Sequence, residues 1–154
     1  MTEVLFYHLD RSPLERVLPE LLEKCLERQW RSVVQVGTDE RRDALDAHLW
    51  TYRDDAFLPH GSSGEASGAS ADGPAQPIWL TTGDDNPNDA QVRFVTDGAD
   101  AADIASYSRV VMLFDGNDAE AVERARAAWK SIKAENHQVT YWQQDDRGKW
   151  VKKA

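Results

Sequence analysis

Residues 109–143, RVVMLFDGNDAEAVERARAAWKSIKAENHQVTYWQ, contain a strand, a helix and a second strand in succession. Arg109-Val110-Val111-Met112-Leu113-Phe114 is the most apolar strand-like run of the chain. A strand apolar at successive positions belongs in the middle of a sheet covered on both faces. Asp118 suits the cap of a helix that runs to about Lys133. Residues 138–143, QVTYWQ, then alternate as a half-buried strand does.

The same alternation extends backwards. Residues 4–9, VLFYHL, form a first short strand. Ser12-Pro13-Leu14-Glu15 reads as a helix start, with a serine cap and proline in the first turn. That helix reaches about Arg28 and puts Leu14, Val17, Leu18, Leu21, Leu22, Cys25 and Leu26 on one face. Val33-Val34-Gln35-Val36 is a second strand. Thr38 or Asp39 caps the next helix, which carries Leu45, His48 and Leu49 toward Trp50. Phe57-Leu58-Pro59-His60 reads as extended. Residues 61–76, GSSGEASGASADGPAQ, have almost nothing to bury and read as a flexible Gly/Ser/Ala-rich loop inserted within the domain. Residues 77–81 and 92–95 are further strands, Asp97-Gly98 a turn, and residues 101–107 a weakly signalled short helix. Trp150 opens a basic tail, either a last strand or frayed. Strands alternating with helices point to an α/β fold with a mainly parallel sheet.

With 154 residues, the chain is expected to be one domain. No apolar run approaches the roughly 20 residues of a membrane span, and no signal-peptide pattern opens the chain. The lone cysteine, Cys25, fits a reducing cytoplasm and reads as a buried structural thiol. A net charge of −9 disfavours binding a phosphate backbone over the whole surface.

Several chemistries lack their residues. No Gly-x-Gly-x-x-Gly follows the first strand, and no Walker Gly-Lys-Ser/Thr occurs. The Gly-x-Ser-x-Gly elbow is absent too. His8, His48, His60 and His137 have no metal-ligand spacing. Asp54-Asp55, Asp84-Asp85 and Asp145-Asp146 read as solvated turns. His60 reads as a turn histidine bonded to backbone.

The last helix carries the clearest chemistry. At 3.6 residues per turn, Ala121, Ala125, Ala128 and Ile132 share the arc that faces the sheet. Arg126, Lys130 and Lys133 share a neighbouring arc, and Trp129 falls between. One apolar and one cationic wall suit a peptide ending in an aromatic residue with a free carboxylate. Burying its ring against Trp129 and nearby aliphatics would be worth roughly 2–3 kcal/mol. Arg126 can fork onto the carboxylate, while the lysines attract upstream acidic residues. On its own the pattern also fits a solvated basic face with Trp129 as ordinary core.

The whole chain resembles one family. Residues 45–61, LDAHLWTYRDDAFLPHG, carry the most specific block. Val4 to Leu9, Trp30-Arg31, Pro77-Ile78-Trp79-Leu80, Asn86-Pro87, Phe94-Val95, Asp97-Gly98 and Arg126-x-x-Trp129-Lys130 follow in order. Together they resemble the chi subunit of the bacterial DNA polymerase III clamp-loader complex. The resemblance implies a three-layer α/β/α, Rossmann-like single domain without catalysis, cofactor or metal. It implies two partners. One is the psi subunit, which links chi to the clamp loader. The other is the acidic C-terminal tail of the single-stranded DNA-binding protein, which ends in a Pro-Phe carboxylate. Arg126, Trp129 and Lys130 match the Arg, aromatic and Lys of the family's tail pocket. The sequence departs from the pattern in its longer loop and in Glu135-Asn136-His137, where a glycine turn is common. Two other readings remain: an α/β nucleotide-binding enzyme or sensor with a non-standard site, using His60 with Asp54 or Asp55, and direct binding of single-stranded DNA.

Overall fold

The computed structural model describes residues 2–51, 59–62, 76–96 and 103–154. Strands β1 (Glu3–Leu9), β2 (Ser32–Gln35), β3 (Gly61–Ser62), β4 (Ile78–Thr81), β5 (Val92–Val95), β6 (Arg109–Asp115), β7 (Gln138–Gln144) and β8 (Trp150–Lys152) form one sheet. Helices α1 (Leu14–Glu27), α2 (Asp39–Thr51) and α3 (Ala119–Ala134) cover it. The strand order is β3-β4-β2-β5-β6-β1-β7-β8. Every pairing is parallel except that of β7 with β8.

Register sorts the side chains into two cores. Phe6 stands beside Met112 on β6 and Tyr141 on β7. With Val4, Val110 and Val139 they meet Ala125, Ala128, Trp129 and Ile132 of α3. The alternate residues Leu9, Val111 and Leu113 meet Leu18 and Leu22 of α1 and Leu45 and Leu49 of α2. The result is three layers, α1 and α2 on one face and α3 on the other. Each fully buried Leu, Val or Phe contributes about 1.5–3 kcal/mol, so both layers are held by burial. Cys25 lies in the α1 core, and burial raises its thiol pKa.

Local details depart from the sequence reading. Ser12 does not cap α1. Pro13 occupies the cap with an extended ψ of 163° and makes no side-chain cap bond. Ser12 stands one residue before the cap, and Pro13 O accepts from Arg16 and Val17. Pro19 sits inside α1. It has no N–H for the carbonyl of Glu15 four residues earlier. His48 Nε2 fills that vacancy, donating to Glu15 O at 2.6 Å. A helix defect is thereby turned into the bond that ties α2 to α1.

Gly61 and Ser62, read as the head of the inserted loop, are buried in β3. Gly61 has no room for a side chain, since a Cβ would lie 2.8 Å from Gln76 Cγ and 3.0 Å from the Trp79 ring. The remainder of that loop up to residue 75, Asp97-Gly98 and Phe57-Leu58 lie outside the described residues. So do residues 101 and 102; the short helix read there is a 3-10 turn at Ile104–Ser106. The basic tail is a strand, β8, paired with β7.

Candidate functional site

Helix α3 begins where Asp118 accepts the amides of Glu120 at 3.0 Å and Ala121 at 3.4 Å. This start sets the phase of everything after it. Ala125 and Ile132 are buried against the sheet, with Ala128 partly buried beside them. Arg126, Lys130 and Lys133 are exposed, and Trp129 is half-buried between the two arcs. None of the three cations forms an ion pair among the described residues.

The Trp129 ring is held in place. It meets Phe6 edge-on with centroids 5.6 Å apart and Tyr141 at 5.9 Å. Lys133 Nζ lies 5.7 Å from the Trp129 centroid. Arg126 is close enough to oppose the upward shift that burial imposes on the Tyr141 hydroxyl. Arg126 and Trp129 therefore lie beside Tyr141 of β7, with Lys133 next to the indole and Lys130 exposed on the same arc. Tyr141 is the floor residue that sequence reasoning assigned only to a half-buried strand.

A polar chain supports that floor. Burial raises the Tyr141 pKa, and its hydroxyl is hydrogen-bonded with His8 Nδ1, 2.6 Å away. The other ring nitrogen of His8 faces Asp10 Oδ2 at 3.8 Å, and that oxygen accepts from Gln143 Nε2 at 2.8 Å. Gly116 closes the far side, where any Cβ would overlap the His8 ring. Gly116→Ala is expected to force the ring off Tyr141 and cost about 1–3 kcal/mol. Urea unfolding measures it; an unchanged midpoint would mean the ring has room to move. Past α3, Asn136 takes φ +67°, the conformation a glycine turn would use.

The other sequence candidates form no comparable site. His60 is buried, with Nε2 2.8 Å from Asp46 Oδ1 and its ring 4.1 Å from Trp50. It therefore has a carboxylate partner as well as the backbone one expected of it, at 3.2 Å. Asp54 and Asp55 lie outside the described residues. Asp85 accepts from Trp79 Nε1 at 3.0 Å and from the Thr81 hydroxyl, and Asp145 accepts turn amides. Among the described residues, no group of three or more His, Cys, Asp or Glu side chains could hold a metal ion. None of their helices is long and apolar enough to cross a membrane.

A cavity of about 980 Å³ lies on the other flank of α3, by the carboxyl ends of β1 and β6. The crossovers after these strands leave toward opposite faces, a position where α/β sheets often bind ligands. Its described lining sets Asp10, Glu15, Asp115 and Asp118 against Arg11, Arg41 and Arg124. Glu15 pairs with Arg41 at 3.1 Å, and Arg11 with Asp146 at 2.7 Å. A phosphate would meet an excess of carboxylates there.

Fold and surface define a doubly wound α/β domain with a cationic, indole-bearing helix laid over its sheet. The family model described as "DNA polymerase III chi subunit, HolC" matches residues 1–140, and the chain belongs to that family. A curated relative from Rickettsia prowazekii (strain Madrid E), described as "Probable DNA polymerase III subunit chi", is 29% identical over 114 residues. That match covers 74% of this chain and 66% of the relative's length.

Proposed function

We propose that this protein is a non-catalytic replication adaptor, linking the clamp loader of DNA polymerase III to single-stranded DNA-binding protein. It grips the acidic C-terminal tail of that protein at Arg126, Trp129, Lys130 and Lys133. The supporting observation is the clustering of unpaired cations beside a braced, half-buried indole on a chain of net charge −9. Such an arrangement favours a carboxylated, acidic peptide over a nucleic acid backbone.

Titration with an acidic peptide ending in Pro-Phe, followed by tryptophan fluorescence, tests this reading. Saturable binding that weakens as salt is raised is expected. Absence of binding at low salt would overturn it.

An adaptor needs a second, separate surface, which the psi subunit occupies in this reading. Trp50 on α2 is 46% exposed, the one exposed large hydrophobic among the described residues. It lies on the α1/α2 face, away from α3. An exposed indole packed against a buried neighbour, His60, has the character of an interface anchor. Trp50→Ala is expected to reduce co-purification with psi while leaving the tail-peptide Kd unchanged. Loss of both together would contradict two separate surfaces.

A further inference from the structure

The C-terminal hairpin β7–β8 runs past residue 140, where the family match ends. It is nevertheless firmly built. Asp145 accepts the amides of Arg147 and Lys149, each at 2.9 Å, and Gly148 takes φ +80°. Trp150 stacks on Tyr7 with centroids 4.8 Å apart and planes 22° from parallel. That stack ties β8 to the α1 side of the sheet.

Successive residues of a strand point to opposite faces. With Trp150 on the α1 face, Lys152 joins it there. Val151 and Lys153 then point to the α3 face. Val151 pairs with Gln143, and Lys153 N–H donates to Tyr141 O at 2.7 Å. Residues opposed in an antiparallel pair share a face. Lys153 is thus the immediate neighbour of Tyr141, the floor of the docking surface. Helix α3 packs on β6, β1 and β7, while Val151 is half-exposed and Lys153 exposed.

We propose that this hairpin is the second wall of the docking surface. The acidic residues upstream of the bound carboxylate would pass between Lys130 and Lys133 on α3 and Lys153 beside β8, over Tyr141. This rests on the tail-binding reading and extends it to a segment beyond the family match. The charge is complementary: Lys130, Lys133 and Lys153 have no ion-pair partner among the described residues. The surface is also continuous, since Tyr141 touches Trp129 on one side and pairs with Lys153 on the other.

Two peptides of equal length test it on the full chain at low salt. One carries a run of aspartates before Ala-Pro-Phe with a free carboxylate; the other has those aspartates replaced by serines. Lys153→Glu is expected to weaken the aspartate peptide about three- to fivefold and barely alter the serine peptide, with Lys153→Gln between. If Lys153→Glu shifts neither peptide, or both equally, the second wall is overturned while the helix site stands. If the parent binds neither peptide, the tail-binding reading falls, and this inference with it.

Discussion

Arg93→Ala is expected to cost about 3–5 kcal/mol of stability, a large part of what a domain of this size possesses. Arg93 is 1% exposed at the centre of β5. Its guanidinium donates to Gln35 Oε1 at 2.8 and 3.1 Å, Gly83 O at 2.6 Å, Asp85 O at 3.2 Å and the Tyr107 hydroxyl at 3.0 Å. These acceptors come from β2, the loop after β4 and the end of the 3-10 turn. One side chain thus fastens two irregular segments onto the sheet. Truncation would leave its acceptors without a donor and open a cavity beneath them, two penalties that add. Arg93→Lys keeps the charge but cannot fork to several acceptors, so it should recover only part of the loss. Thermal unfolding should show the midpoint of Arg93→Ala lowered by about 10 °C or more. A shift of a degree or two would mean the loops hold without it.

Arg93 also shows what the sequence does not disclose. In Val92-Arg93-Phe94-Val95 a lone arginine looks like the polar side of a half-covered strand. What covers that side is the turn before β5 and Tyr107 after it, neither announced by an apolar pattern. The sheet itself was legible, because its central strands are apolar runs and its helices repeat apolar residues every third or fourth position. The α3 face was legible for the same reason, once Asp118 set the phase. The two-residue strand β3 was not, and the tail at Trp150 stood open between a last strand and a frayed end. Gly61-Ser62 carries no pattern, and its burial depends on the Trp79 ring above it. Trp150 is ordered by Tyr7, a residue from the opposite end of the chain. Tyr141 became visible as part of the candidate site only when register placed it beside Phe6. Contacts between residues distant in sequence decide these cases, and local periodicity does not encode them.

Arg126→Ala is expected to weaken the tail peptide about ten- to a hundredfold while changing stability by less than about 0.5 kcal/mol. The two effects separate because the side chain is exposed and has no ion-pair partner among the described residues. Its proposed role is confined to the peptide carboxylate. Amidating the peptide's C-terminus removes the same interaction from the other side. On the parent, the amide should therefore bind about as poorly as the free acid binds Arg126→Ala. On Arg126→Ala, amidation should make little further difference, so the two losses should not add. Arg126→Lys keeps the charge without the bidentate fork and should fall between. Additive losses would show that Arg126 acts only through the general positive field of α3. Trp129 would then remain the apolar anchor, and the carboxylate would have to be held by Lys130 or Lys133.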